Sequence, residues 1–437
     1  QPPIAIHDIL VGEVWLCSGQ SNMAMTVNRA KDFEKEQAAA NLPHVRMFRE
    51  SSGPAETPQE KCSGTWAVCS PETVGAFSAT AYFFGRKLHQ ELNVPVGLIN
   101  SSVGGTPIEA WTSRDVMADK PEFKPLFERW EKMQAAWDPQ KAHAQYEKQL
   151  AVWKEAARKA KAAGKPVSRP PRKPEEPRLS THRPANLFNG KIAPLVPLAI
   201  RGAIWYQGES NASTPEAARL YATQLPLMIK DWRARWGYDF PFAWVQLPNF
   251  KKPSDNPGAL SAWAVMRESM LKSLSVPNTG MAITIDIGEA DDIHPKNKQD
   301  VGQRLAMWAL GKGYQKKIAT SGPLPVRHET CGGEMTITFQ HTDGGLVVKI
   351  GEALTTPRAD SPTVWPEGLG GFGQVRGFAI AGADRKWHWA KAKIVGDTVV
   401  VAAPEVKQPV AVRYAWGDNP DCNLYKRAGL PASPFRT

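Results

Sequence analysis

The stretch Gly19-Gln20-Ser21-Asn22-Met23 follows the apolar run Val14-Trp15-Leu16-Cys17 after a single residue, Ser18. A short apolar run of this kind indicates a buried strand, and the glycine, serine and asparagine at its exit predict a strand-to-loop turn. Parallel sheets carry their chemistry at the carboxyl ends of strands, which is where Ser21 would lie. A serine becomes an effective nucleophile only with a base, an oxyanion site and an orienting group beside it. The stretch therefore predicts a serine hydrolase whose remaining groups come from later segments.

Three later segments share this organisation, an apolar run that breaks into glycines, amides or carboxylates. They are residues 94–100 followed by 101–106, residues 199–206 followed by 207–211, and residues 280–286 followed by 288–295. Strands that end in this way build the site of a doubly wound sheet. We therefore predict an α/β fold with a doubly wound, mostly parallel sheet flanked by helices.

Four motifs at these strand ends resemble the SGNH hydrolase superfamily, and within it the sialate O-acetylesterase family of carbohydrate esterases. They are Gly-Glu-Val-Trp-Leu-Cys-Ser-Gly-Gln-Ser-Asn-Met at 12–23, Gly-Gly-Thr-Pro-Ile-Glu-Ala-Trp at 104–111, Ile-Trp-Tyr-Gln-Gly-Glu-Ser-Asn at 204–211 and Asp-Ile-His-Pro-Lys-Asn-Lys at 292–298. The match is poor across 115–183. Four motifs in order make the resemblance specific. Family members usually carry a β-domain before the first catalytic strand, which we expect to be absent here or to lie outside this sequence.

The resemblance implies a flavodoxin-like sheet and the hydrolysis of O-acetyl esters on sugars, through an acetyl-serine intermediate and without cofactor or metal. The substrate would be an acetylated sialic acid or an acetylated plant polysaccharide such as xylan. A sialate carboxylate would require a basic partner, for which Arg201, Arg376 and Arg413 are candidates.

His294 is the expected general base, since an imidazole titrates near neutral pH and this one lies in a carboxylate-rich loop after a predicted strand. It would take the Ser21 proton and return it to the leaving sugar hydroxyl. Two carboxylates compete for the orienting role. The Asp-x-x-His spacing of the superfamily selects Asp291, whereas the family's Asp-Ile-His string selects Asp292. The spacing favours Asp291, and both are retained.

The expected oxyanion hole has backbone and side-chain donors. The backbone amide of Ser21 is one donor, and the amide of Gly104 or Gly105 is a second, because glycine lets backbone approach closely. By resemblance to the superfamily's asparagine, the side-chain amide of Gln207 is expected to be the third.

Glu209 and Asn22 are expected to support the site. Glu209 would hold either Gln207 or the Ser21 loop, and Asn22 would tether its own loop. Two other classes of protein compete with the esterase. A glycosidase would use Glu209 with an aspartate, and a non-catalytic carbohydrate-binding protein would account for the 16 tryptophans. Neither explains a serine, glycines, an amide and a histidine at successive strand ends.

The 437 residues are expected to form a catalytic domain at 1–114 and 184–320, a helical insertion at 115–183 and a small β-rich domain at 321–437. Apolar residues at helical spacing, interrupted at Asp138-Pro139, predict a helical hairpin in the insertion, followed by a proline-rich tail. Much of the net charge of +11 falls here, with 17 Lys or Arg against 10 Asp or Glu in 114–183. We interpret this excess as a solvated surface rather than a nucleic-acid site.

The chain contains no run of about 18 apolar residues, so no membrane span is predicted. Cys62 and Cys69 are close enough in sequence to form a disulfide, although five cysteines leave at least one unpaired. An acetylated carbohydrate is the expected partner, and a secreted or periplasmic location fits that substrate. The sequence leaves the oligomeric state open.

Overall fold

The computed structural model describes residues 7–355 and 374–437. Its central sheet contains β1 Glu13–Gly19, β2 Leu42–Glu50, β3 Gly64–Cys69, β4 Val96–Ser102, β5 Gly202–Tyr206, β6 Phe242–Val245 and β7 Thr279–Ala282. The spatial order is β3-β2-β4-β1-β5-β6-β7. Neighbouring strands pair in parallel except for β2 and β3, which are antiparallel. The predicted doubly wound, mostly parallel sheet is confirmed.

The described helices are α1 Ser21–Ala24, α2 Phe33–Ala38, α3 Ala79–Leu92, α4 Arg114–Ala118, α5 Lys124–Ala135, α6 Pro139–Ala162, α7 Pro215–Trp236, α8 Ala262–Lys272 and α9 Lys298–Trp308. Side-chain oxygens of Ser78, Thr214 and Ser261 accept backbone N–H groups at the starts of α3, α7 and α8. These caps set where each helix begins after its loop.

Helices cover both faces of the sheet. Trp15 of β1 and Tyr206 of β5 enter an apolar core together with residues of α3 and α9. Trp205, which points to the other face because side chains alternate along a strand, stacks edge-on with Trp232 of α7. Because both faces are buried, the central strands read as continuous apolar runs in the sequence.

The described part of the C-terminal region consists of small antiparallel sheets, in agreement with the β-rich composition expected there. Its strands are β8 Leu324–Cys331, β9 Glu334–Gln340, β10 Leu346–Ile350, β11 Ala353–Thr355, β12 Phe378–Ala381, β13 Trp387–Trp389, β14 Lys391–Val395, β15 Thr398–Ala402, β16 Ala411–Tyr414, β17 Leu424–Lys426 and β18 Phe435–Arg436. They form sheets in the orders β11-β10-β17, β13-β12-β16-β18 and β14-β15-β9-β8.

The chain divides into two compact units, one of residues 1–51, 63–108 and 197–437 and the other of residues 52–62 and 109–196. The first unit contains both the central sheet and the C-terminal sheets. The division into three domains that the sequence suggests remains a prediction.

The second unit contains α4, α5 and α6. In the 24-residue α6, Ala157 is the buried position, and the indole N–H of Trp153 donates to the carbonyl of Ser168 in the proline-rich tail. This hydrogen bond therefore links the helix to the tail that follows it. Asp138 caps α6 by accepting the N–H groups of Gln140 and Lys141.

The disulfide that the spacing of Cys62 and Cys69 would allow is not formed. The Cys69 thiol is free and buried, and it donates to the carbonyl of Ala40. Among the helices of residues 7–355 and 374–437, none combines the length and apolarity needed to span a bilayer.

Gly19 provides a test of the β1 exit. Its φ is +140°, and an added Cβ would lie 2.1 Å from the Tyr206 carbonyl oxygen. We expect Gly19→Ala to lower the free energy of unfolding by about 2 kcal/mol or more, because backbone strain and a backbone collision coincide. Gly237→Ala is the matched control: its φ is +78° but nothing lies within 4 Å of the added Cβ. Equal losses for the two variants in urea unfolding would show that the close approach to Tyr206 does not matter.

Candidate active site

The strand register brings the predicted catalytic loops to one edge of the sheet. Gly19, at the end of β1, pairs with Ser102 of β4 on one side and with Tyr206 of β5 on the other. Beyond the strands, the N–H of Gln20 donates to the Tyr206 carbonyl at 2.9 Å, and the N–H of Val103 donates to the Gly19 carbonyl at 3.1 Å. The loops that carry Ser21, Gly104 and Gln207 therefore start side by side.

Ser21 begins the one-turn helix α1 and is partly exposed. Gly104 lies against it: a Cβ added to Gly104 would be 3.4 Å from the Ser21 Cβ. An added Cβ would be in ordinary van der Waals contact with the serine, so the Gly104 backbone lies close to Ser21. Gly105 has a φ of +74° with open space around it, so its backbone conformation favours glycine although the space does not require it. The structure brings Ser21 and Gly104 together.

Asp292, not Asp291, lies beside the imidazole of His294. The Asp292 Oδ1 is 3.5 Å from the His294 Nδ1 and also accepts the backbone N–H of His294 at 2.9 Å. Asp291 is exposed to solvent. Residue spacing alone favours Asp291, but the backbone turn brings the Asp292 carboxylate to the ring, which makes Asp292 the better candidate for the orienting role.

The charges around His294 act in opposite directions. Burial lowers its pKa below the usual 6.5, the Asp292 carboxylate raises it, and the positive charges of Lys298 and Arg29 lower it further. The pKa of Asp292 is lowered mainly by the hydrogen bond from the His294 backbone. The imidazole is thus favoured in its neutral form near neutral pH, which is the form a general base requires.

The expected role of Gln207 in the oxyanion hole is not supported by its contacts. Gln207 is fully buried, and its Nε2 donates to the Thr106 carbonyl at 3.1 Å and to the Asn211 Oδ1 at 2.7 Å. Its Oε1 accepts the Tyr221 hydroxyl at 2.8 Å. Since both amide hydrogens already have protein acceptors, this side chain braces the loop around Thr106 instead of facing Ser21.

Asn22 connects the Ser21 loop to the loops that carry Glu209 and His294. Its Nδ2 donates to the Glu209 Oε1 at 2.5 Å and to the Ile293 carbonyl at 3.0 Å, and its Oδ1 accepts the Lys298 Nζ at 2.7 Å. Glu209 thus contacts the Ser21 loop, one of its two expected partners. Burial raises the pKa of Glu209. Lys298 was assigned no role from the sequence, although it ends the motif at 292–298.

The loop that carries His294 is also anchored from the C-terminal region. Asn249, after β6, accepts the Gly288 N–H through its Oδ1 at 2.7 Å, and its Nδ2 donates to the Asn419 Oδ1 at 2.9 Å. Asp286 forms a bidentate ion pair with Arg304, with separations of 2.6 and 2.8 Å, and accepts the hydroxyl of Tyr425. The described residues that fix this loop therefore come from several distant parts of the chain.

Comparisons with known proteins identify the family of the chain. The family model of a carbohydrate esterase, sialic acid-specific acetylesterase, matches residues 11–162 and 187–310. Human sialate O-acetylesterase is 31% identical over 99% of this chain and 76% of its own length. The mouse sialate O-acetylesterase is 29% identical over 99% of this chain and 78% of its own. The crystal structure of a carbohydrate acetylesterase from Xanthomonas citri is 36% identical to this chain, with a TM-score of 0.76. The match covers 98% of this chain and 81% of the Xanthomonas citri chain.

The family match spans more than half of the chain, and a relative above 30% identity covers nearly all of it. These similarities confirm the resemblance seen in the four motifs. They support carbohydrate O-deacetylation and do not favour the glycosidase or the non-catalytic binding protein. The chain belongs to the sialic acid-specific acetylesterase family of carbohydrate esterases.

Proposed function

We propose that this esterase removes O-acetyl groups from sugars through an acetyl-serine intermediate, with Ser21 as nucleophile, His294 as general base and Asp292 as the orienting carboxylate. The observation that carries the proposal is the contact between the Asp292 Oδ1 and the His294 Nδ1 at the sheet edge where Ser21 and Gly104 meet. A carboxylate at Nδ1 favours the tautomer whose Nε2 accepts a proton.

In the first step the Ser21 Oγ attacks the acetyl carbonyl carbon and His294 takes the hydroxyl proton. The carbonyl oxygen becomes an oxyanion, for which the backbone amides of Ser21 and of the Gly104–Gly105 pair are the proposed donors. Collapse breaks the ester bond, and the sugar oxygen leaves with the proton from His294. Water then attacks the acetyl-serine with the same base, which releases acetate and restores Ser21.

The sugar is proposed as an acetylated sialic acid or an acetylated plant polysaccharide. The relatives named sialate O-acetylesterase favour acetylated sialic acid as the substrate. The name carbohydrate acetylesterase of the solved relative is compatible with both sugars. The three arginines considered for a sialate carboxylate have other contacts: Arg201 pairs with Glu13, Arg376 pairs with Asp421, and Arg413 stacks on Trp387 and Trp416. Because acetylated polymers lie outside cells, a secreted or periplasmic location fits this proposal.

Ser21→Ala tests the mechanism directly. We expect the rate of aryl acetate hydrolysis to fall by about three orders of magnitude or more, because no nucleophile remains. Release of acetate from O-acetyl sialic acid and from acetylated xylan, measured in parallel, distinguishes the two substrates and is expected to disappear with the same variant. Circular dichroism and the melting temperature check the fold. Near-normal turnover by folded Ser21→Ala would exclude the acetyl-serine route.

Asp292→Asn and Asp291→Asn form a matched pair on adjacent residues. We expect Asp292→Asn to lower kcat by about 10²-fold or more, because the imidazole loses its orienting carboxylate, whereas Asp291→Asn stays near wild type. The Asp292 charge raises the pKa of His294. Its removal therefore lowers that pKa, and the acid limb of the kcat profile moves to lower pH. The assignment fails if Asp291→Asn is the more damaging change.

Gln207→Ala tests whether Gln207 stabilises the loop around Thr106 or donates to the oxyanion. Loss of the side chain leaves buried partners such as the Asn211 Oδ1 with fewer hydrogen bonds. We expect the free energy of unfolding to fall by about 1–3 kcal/mol. Ser21→Ala is the control, since a partly exposed hydroxyl contributes little to stability. Unchanged unfolding in urea together with a drop in kcat of about 10²-fold would instead restore Gln207 to the oxyanion hole.

A further inference from the structure

Lys298 lies where a lysine is physically unfavourable. It is the first residue of α9, where the positive end of the helix dipole disfavours a cation, and its side chain is fully buried. Burial lowers the pKa of its ammonium to about 7. Lysine is almost never fully buried unless its charge is compensated, and a residue that conflicts with its local environment often marks a functional constraint.

The hydrogen bonds of Lys298 compensate this burial. Its Nζ donates to the Asn22 Oδ1 and to the Pro295 carbonyl, both at 2.7 Å, and it lies 5.3 Å from the centre of the Tyr206 ring. Asn22 links Lys298 to Glu209, since its Nδ2 donates to the Glu209 carboxylate at 2.5 Å. The amide of Asn22 therefore has a fixed orientation, with its oxygen toward the ammonium and its nitrogen toward the carboxylate.

The same contacts hold the backbone on both sides of His294. The Ile293 carbonyl, just before the histidine, accepts a hydrogen from Asn22, and the Pro295 carbonyl, just after it, accepts one from Lys298. Asn22 is itself the residue after Ser21. We propose that Lys298 is a positioning residue, whose buried ammonium joins the His294 loop to the Ser21 loop and sets the geometry of the base against the nucleophile. The inference rests on the proposed roles of Ser21 and His294.

The charges near His294 and Lys298 predict how the pH dependence of activity changes when Lys298 is replaced. His294 is influenced by Asp292, which raises its pKa, and by Lys298 and Arg29, which lower it. Lys298 in turn faces Glu209, Glu289 and Asp292 together with Arg29. The positive charge of Lys298 opposes the positive charge of a protonated His294. Removing the Lys298 charge therefore raises the pKa of His294 and moves that limb to higher pH.

Lys298→Met keeps the length and apolar stem of the side chain but removes both the charge and the donors. We expect kcat for an aryl acetate to fall by about 10²-fold with KM nearly unchanged, because loss of alignment affects the reaction more than binding. Lys298→Gln keeps an N–H donor without the charge. It is expected to recover part of kcat while its acid limb stays shifted to higher pH.

Lys296→Met is the matched control, an exposed lysine of the same loop that pairs with Glu289 and does not contact Asn22. It is expected to keep the wild-type kcat and acid limb.

A folded Lys298→Met variant with unchanged kcat and an unchanged acid limb overturns the proposal. A variant that loses only melting temperature overturns it as well. If the Met variant does not fold, the Gln variant decides by the same readouts, and failure of both to fold also overturns it. Activity in Ser21→Ala would instead refute the proposed function, whereas an inactive Ser21→Ala beside a normal Lys298→Met refutes only this inference.

Discussion

The pairing of Gly19 with both Ser102 and Tyr206 is the constraint on which the candidate site depends. A shift of one residue in β1 or β5 would move large side chains such as Trp15 and Trp205 to the opposite face, and their close packing on the two faces opposes that shift. The register therefore fixes where three loops begin. Gly19 also lets the chain pass the Tyr206 carbonyl at a distance that a Cβ would not permit. The position of Ser21 follows from sheet packing before any catalytic contact forms.

Beyond the strand ends, buried polar contacts replace sheet hydrogen bonds as the source of order. Arg267 is fully buried and donates to the carbonyls of Leu247 and Pro248 after β6, and to those of Gly417 and Asp418 in the C-terminal region. The loop after β6 then holds Gly288 through Asn249. The C-terminal region, which contributes none of the proposed catalytic residues, thus helps to fix the loop that carries His294. Such contacts are costly to break, because each would leave a buried polar group without a partner.

The sequence predicted the central strands well because burial on both faces gives continuous apolar runs, as in β1 and β5. It did not predict β2 and β3, since β2 alternates between exposed and buried positions and β3 is largely exposed. Motifs placed Ser21, Gly104 and His294 at one edge but did not give side-chain directions. Gln207 turns away because Tyr221, fourteen residues later, supplies a hydrogen bond in the core. Lys298 went unassigned because a lysine is usually a surface residue, and only the fold reveals that this one is buried.

The electrostatics of the site balance two needs of acyl transfer. A base must be neutral before the reaction, and burial together with Lys298 and Arg29 favours the neutral imidazole. The same base must accept a proton in the transition state, and Asp292 stabilises the imidazolium that forms. The positive charge of the imidazolium arises together with the negative charge of the oxyanion. Nearby cations that destabilise the imidazolium therefore stabilise the oxyanion. A lysine and an arginine near His294 therefore need not slow catalysis, because the transition state separates charge within the site without changing its total.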